Sequence, residues 1–299
     1  MSESKDNFPV VCFGETLWDF LPGGKLPGGA PVNVACHLQK LGKNPAVISR
    51  IGKDDLGEEL KNIFELKKIH TGFFQTDNEN PTGKVLAKIM DNHEVSYEIL
   101  QPVAWDFIEW DSKMGNLVSS ADFFVFGSLV TRNSDSKNTL FQCLEIANKK
   151  VLDINLRPPH YTREIVEELL AKADILKLNL AELHLISGWF KIFVNDEDRI
   201  KWLKEKFSID TIIVTKGGEG AVLFMNDKFY YHRGYKVEVA DTVGSGDAFL
   251  AAFISKLIEN AQPAEALDFA SGLGAFVASR SGACPDYELK EVYDIMSRK

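Results

Sequence analysis

Residues 241–249 read DTVGSGDAF, and the apolar run LAAFISKLI (250–258) follows without a break. Gly244 and Gly246 carry no Cβ, so the backbone can turn tightly there and aim successive N–H groups at one point before a helix that starts near Asp247. The partial positive charge of a helix N-terminus adds to those N–H groups, and together they make a cradle for a phosphate. A carboxylate at Asp247 would repel an anion held there. It makes chemical sense if it accepts a proton from an attacking hydroxyl while the phosphoryl group is transferred. The competing reading is structural: Asp is a favoured N-cap and Gly is common in turns, so GSGD before a helix also describes a capped helix start. The stretch alone leaves both readings open.

The rest of the chain narrows the choice. Its 299 residues are 45% hydrophobic and 26% charged, the composition of an ordinary globular protein long enough for a large α/β domain. The formal charge of −9 argues against a protein built to grip nucleic-acid phosphates. Cys12, Cys36, Cys143 and Cys284 are scattered with no C-x-x-C pair, so neither a zinc site nor a disulfide framework is expected, and the thiols read as reduced and packed in a cytoplasmic protein. MSESKDNFPVVCFGE at the N-terminus lacks the pattern of an export signal, and no apolar run is long enough for a membrane span. Neither GxxxxGKS/T nor a GxGxxG after the first strand is present, which weakens a P-loop NTPase and a Rossmann dehydrogenase.

Short apolar runs alternate with stretches of helical period, the pattern of a mostly parallel sheet covered by helices. The expected strands are 10–13, 46–51, 123–129, 151–156, 174–180 and 211–215; the expected helices are 33–42, 56–69, 138–149, 163–173 and 198–207. TGKVLAKIMDNHEVSYEIL (82–100) departs from this, alternating apolar and polar residues on either side of a polar turn at 91–94, and reads as a β-hairpin. With the extended ETLWDFLPGGKLPGGA (15–30) it forms either a second small sheet or an edge of the main one.

PGGAPVNVACHLQKLG (27–42) is the second glycine-rich motif. Paired with DTVGSGDAF it resembles the two signatures of the ribokinase-like (PfkB) carbohydrate kinases, GG-x-x-x-N-x-A early and G-x-GD late, and the likeness is closest to fructokinases. GETLWDFLP (14–22), GKDDLGEEL (52–60), LDINLRP (152–158), KLNLAEL (177–183), TKGGEGA (215–221) and RSGACP (280–285) resemble further segments of that family, so the likeness runs over nearly the whole chain. It implies one ribokinase-like α/β domain over residues 1–299, a mostly parallel sheet flanked by helices, with a small β-sheet lid built from insertions near 15–30 and 82–103. It also implies roles. Asp247 would be the base, with the N–H groups of Gly244, Ser245 and Gly246 around the transferring phosphoryl. Asp19, Gly29 and Asn33 would bind the sugar, and Arg157 would add positive charge. Lys177, Asn179, Glu182, Thr215, Gly217 and Gly220 would serve the nucleotide. Asn179 and Glu182 would organise Mg²⁺ through water, and Asp241 with the 279–284 turn would hold K⁺. The implied substrates are ATP and a sugar, with no nucleic acid or membrane partner and a homodimer formed through the lid.

Each residue has a plainer alternative. Asn33 also reads as the cap of its helix, Asp19 as a solvated turn residue, Glu182 and Lys177 as surface charges, and Asp153 as structural. Five residues depart from common family patterns: Val243 and Ser245 within the late signature, Ser271 where relatives have Asn, and His160 with Tyr161 after Arg157. The expected activity is a fructokinase making fructose 6-phosphate. The alternatives are the same chemistry on ribose, 2-keto-3-deoxygluconate or a nucleoside, a non-catalytic sugar sensor of the same fold, and, more remotely, a nucleotide-cofactor oxidoreductase.

Overall fold

The computed structural model describes residues 7–21, 23–89 and 95–298. The polar turn expected at 91–94 lies outside them, as does Pro22. The chain divides into two compact units, the first of residues 1–125 and 130–148, the second of 126–129 and 149–299.

In chain order the first unit holds β1 (Val10–Phe13), β2 (Leu17–Leu21), β3 (Gly24–Gly28), α1 (Ala30–Lys40), β4 (Ala46–Gly52), α2 (Asp55–Leu66), β5 (Phe74–Asp77), β6 (Gly83–Ile89), β7 (Val95–Ile99), α3 (Ser112–Ser120), most of β8 (Phe123–Gly127) and α4 (Ser134–Ile146). Its α/β layer runs β8-β1-β4-β5, with β1 parallel to β4 and β4 parallel to β5. Every residue of β1 is buried, as a parallel strand covered on both faces requires, which is why it reads as an unbroken apolar run.

Four strands leave this layer to form a separate small sheet in the order β3-β2-β6-β7. The expected hairpin is there: β6 and β7 pair antiparallel, and β2 joins β6 in parallel with Asp19 opposite Val85. The exit of this sheet is fixed by a buried cation. Arg132 Nε and Nη2 donate to the two carboxylate oxygens of Asp106 at 2.7 and 2.8 Å, and Nη2 also donates to the Leu100 carbonyl at 2.7 Å. The same guanidinium stacks 3.9 Å from the Trp105 ring centroid. A planar fork can do all of this at once, whereas an ammonium cannot.

The second unit holds β9 (Lys149–Asp153), α5 (Arg163–Leu170), β10 (Ile175–Asn179), α6 (Leu180–Gly188), α7 (Asp196–Phe207), β11 (Thr211–Thr215), β12 (Ala221–Met225), β13 (Lys228–His232), α8 (Ser245–Ile258), α9 (Pro263–Ala278) and α10 (Leu289–Met296). Strands β9, β10 and β11 are parallel; β12 and β13 extend the layer as an antiparallel hairpin. That hairpin was not anticipated. Its two-residue turn places Asn226 and Asp227 at φ 55° and 57°, the left-handed pair that a type I′ turn demands and that Asn and Asp tolerate best. The expected helix 138–149 ends at Ile146, because Lys149 already belongs to β9. All four cysteines are free, and Cys12, Cys36 and Cys143 are buried.

Arg132→Lys is expected to lower stability by about 2–4 kcal/mol, the worth of several hydrogen bonds to a buried charge. A urea titration checks this, and a loss below ~1 kcal/mol would contradict the role given to the fork.

Candidate active site

In the second unit the glycine turn has the form its sequence suggests, with a shift in detail. Gly244 is the N-cap of α8 at φ 75°, and a Cβ there would lie 2.5 Å from Ala283 Cα, so no other residue fits. The helix begins at Ser245, two residues earlier than expected, and Asp247 sits inside its first turn. Asp247 is therefore not the cap, and the structural reading of GSGD fails on that point. The Ser245 N–H and hydroxyl both donate to the Thr242 carbonyl, at 3.3 and 2.8 Å. The first bond within the helix runs from Ala248 N–H to Gly244 O at 2.8 Å, so helix geometry gives the N–H groups of Gly246 and Asp247 no acceptor inside α8. Of the expected trio Gly244, Ser245 and Gly246, the Ser245 N–H is therefore engaged by Thr242, while the Gly246 N–H has no acceptor within the helix.

Lys177 stands beside it. This lysine occupies the middle of β10, between buried Leu176 and Leu178, and is 6% exposed. Its ammonium donates to Asp153 Oδ2 at 2.6 Å, and a Cβ on Gly246 would lie 3.1 Å from its Nζ. Burial alone would push the ammonium toward neutrality, but the charges of Asp153 and Asp247 outweigh burial and hold Lys177 above the ordinary lysine range. A raised value means that the ion-pair stability is intact at neutral pH and is lost only as pH climbs through the lysine range. Lys177 is not a surface charge, and Asp153 is its partner.

Neighbouring strand ends add the next residues. Lys177 is opposite Asp153 on β9, and Asn179 is opposite Thr215 on β11, so these groups share the carboxyl ends of parallel strands, where ligands of such sheets collect. Asn179 caps α6: its Oδ1 accepts from Glu182 N–H at 2.9 Å while Glu182 Oε2 accepts from Asn179 N–H at 2.8 Å. Glu182 Oε1 accepts from Leu156 N–H at 2.8 Å, which ties the 154–157 segment to α6. Burial pushes the Glu182 carboxyl above the usual carboxylate range in spite of those donors. It too is buried rather than a surface charge. Asn155, in the middle of the D-x-N-x-R stretch, sits at φ 38°, a strained position for a residue that is not glycine. Arg157 is exposed and donates only weakly, at 3.3 Å, to its own Leu156 carbonyl. Gly217 and Gly220 bound the loop after Thr215, which Lys216 N–H closes onto Gly220 O at 2.8 Å. The oxygens of Asp241 accept N–H groups from Val243 at 3.0 Å and Gly282 at 3.3 Å. Ser271 is buried and donates to Leu267 O at 2.8 Å, an inward bond within its own helix.

In the first unit Gly29 is the N-cap of α1 at φ 117°, packed so closely on the Glu15 carbonyl that a Cβ would collide with it. Asn33 is buried one turn into α1, and its N–H bonds to Gly29 O at 2.9 Å. It is therefore not the cap. That work falls to Glu15, whose Oε1 accepts from Ala30 N–H at 3.0 Å. Asp19 is half-buried on β2 with its carboxylate over Gly28, where a side chain would displace it. Glycine pair, buried amide and carboxylate thus gather at the start of α1.

Residues 12–289 match the pfkB family carbohydrate kinases. The chain belongs to that family. Its chemistry is accordingly phosphoryl transfer to a sugar hydroxyl. The chain is 28% identical to a probable chloroplastic fructokinase-6 of Arabidopsis thaliana, over 94% of this chain and 80% of that protein. It is 27% identical to fructokinase-2 of Zea mays, over 92% and 90%. Its fold matches that of a Xylella fastidiosa fructokinase with bound ATP, with a TM-score of 0.85, 22% identity and coverage of 96% and 97%. It also matches a Vibrio cholerae fructokinase holding fructose, ADP and calcium, with a TM-score of 0.83, 22% identity and coverage of 98% and 100%. The fold is ribokinase-like. Among the described residues no helix is long and apolar enough to cross a membrane.

Lys177→Met leaves the buried Asp153 without its partner and is expected to cost about 3–5 kcal/mol of stability. Adding Asp153→Asn to the same chain should restore at least about half of that loss. Chemical unfolding of the single and double variants checks the pair, and a double variant no more stable than the single would contradict it.

Proposed function

We propose that this carbohydrate kinase transfers the γ-phosphate of MgATP to D-fructose, giving fructose 6-phosphate. The observation that carries the chemistry is the carboxylate of Asp247 in the first turn of α8, beside a glycine cradle and a buried ammonium. The acceptor rests on the fructokinases among its relatives.

Asp247 accepts the proton of the attacking hydroxyl. The N–H groups of Gly246 and Asp247 and the Lys177 ammonium meet the charge that develops on the transferring phosphoryl. Because Lys177 is held charged and already buried, this positive charge needs little rearrangement during reaction. Asp19, Gly29 and Asn33 bind the sugar, a carboxylate and an amide each engaging neighbouring hydroxyls. The sheet β3-β2-β6-β7 serves as the lid of a domain taken as 1–299, and its edge strands are where two copies would join as a dimer. Arg157 lends charge near the phosphates, and Thr215, Gly217 and Gly220 contact the nucleotide.

The residues present fit Mg²⁺ held through water. Each Glu182 oxygen accepts one backbone N–H at 2.8 Å and keeps a lone pair for a water, while Asn179 stays committed to its cap. Mg²⁺ needs few protein ligands when phosphates and water complete its shell, and when bound it neutralises charge on the ATP oxygens. Asp241 keeps lone pairs of the same kind for K⁺, an ion that a relative in the fructose- and ADP-bound state also holds. The free thiols suit a reducing compartment, the cytoplasm in this reading.

ADP release from MgATP in K⁺ buffer, across fructose, ribose, glucose, 2-keto-3-deoxygluconate and adenosine, tests the proposal. Fructose is expected to exceed the others by at least ~10-fold in kcat/KM. A higher value for another acceptor would move the substrate, and no release with any of them would overturn the activity.

A further inference from the structure

The segment GKDDLGEEL (52–60) has no part in the site described above, yet its first carboxylate accepts three hydrogen bonds from two separate parts of the chain. Asp54 is the N-cap of α2, with Oδ1 accepting from Gly57 N–H at 2.8 Å. A cap needs no more than that. Here Oδ1 also accepts from the Thr82 hydroxyl at 2.6 Å, and Oδ2 accepts from Thr82 N–H at 2.9 Å. Thr82 Oγ1 in turn accepts from Gly52 N–H at 3.0 Å. One carboxylate thereby joins the end of β4, the first turn of α2 and the residue just before β6. The approach is so close that a Cβ on Gly52 would lie 2.5 Å from Thr82 N, and one on Gly57 would collide with the Gly52 carbonyl.

A second bond reaches the same turn of α2 from the neighbouring strand. Trp18 of β2, 1% exposed, donates its indole N–H to the Leu56 carbonyl at 3.0 Å. Lys25 of β3 lies 4.3 Å from the centroid of that indole ring and pairs with Glu59, further along α2. The two central strands of the small sheet, β2 and β6, are thus both rooted in one turn of one helix. They are parallel neighbours, with Leu17 opposite Gly83 and Asp19 opposite Val85.

We infer that Asp54 is a positioning residue for sugar recognition: by pinning Thr82 and α2 together it sets the register and tilt of β2 and β6, and with them the place of the Asp19 carboxylate. This rests on the reading of Asp19 as a sugar ligand. Nothing in the pinning involves the second unit, so the effect belongs to the sugar and not to the nucleotide or the chemical step.

Asp54→Asn is the sharpest probe, because the amide oxygen can still cap α2 while the NH₂ opposes the Thr82 N–H, donor against donor. It is expected to raise the KM for the sugar at least ~10-fold, with kcat and the KM for ATP within ~3-fold of wild type. Thr82→Val should act in the same direction and Thr82→Ser should stay near wild type, which guards against an Asp54 variant that folds poorly. Amide hydrogen exchange should quicken in residues 17–21 and 83–87 of Asp54→Asn and remain unchanged in β10 and β11. Parallel losses in kcat and both KM values, or unaltered exchange at 17–21, would overturn the inference. A wild-type protein that phosphorylates no sugar would instead sink the functional reading, and the exchange data would then decide alone whether Asp54 sets the root of the sheet.

Discussion

The second unit is organised around one buried charge. A lysine in the middle of a strand packed on both faces is unfavourable unless a carboxylate meets it, and Asp153 does so from the adjoining strand at 2.6 Å. Once Lys177 is fixed, the features around it follow. A Cβ on Gly246 would crowd Nζ at 3.1 Å, and Asp247, in the first turn of α8, lies within reach of the same field. A local stability cost of this kind is common where a protein keeps a charge ready for an incoming anion.

In the function proposed above, the first unit meets a different problem. A sugar offers hydroxyls and little charge, so recognition depends on where a few oxygens and one amide are held rather than on a field. The glycine pair brings the backbone of residues 28 and 29 against β2, Glu15 holds the start of α1, and Asn33 is buried one turn further on. The small sheet that carries Asp19 is tied down at its roots by Asp54 and at its exit by Arg132.

Much of this was legible before the fold was known, and the limits were physical. Strand β1 announced itself as an unbroken apolar run and β4 and β11 as short, mostly apolar ones, and both glycine motifs stood out because tight turns leave few residue choices. The hairpin of β12 and β13 was overlooked although β12 is wholly apolar, since β13 is polar at both ends and the Asn-Asp turn between them is less conspicuous than Asn-Gly. Pairings over long separations were out of reach: Asp54 with Thr82, Arg132 with Asp106, and Asp153 with Lys177 each join residues whose local patterns are unrelated. One signal was available and missed. A lysine inside ILKLN can only be buried, so a carboxylate partner on a neighbouring strand was to be expected. The helix boundaries erred where caps were guessed by residue type, as with Asn33 and Asp247, when a glycine N-cap was in place at both sites.

The central claim is that Asp247 takes the proton of the sugar hydroxyl and does not hold the sugar or the fold. Asp247→Asn, compared with wild type for fructose turnover and for fructose binding by calorimetry, tests it most directly. The account predicts a kcat at least ~10²-fold lower with the fructose dissociation constant within ~3-fold. Near-normal turnover in the variant, or a loss of sugar affinity as large as the loss of rate, would contradict it.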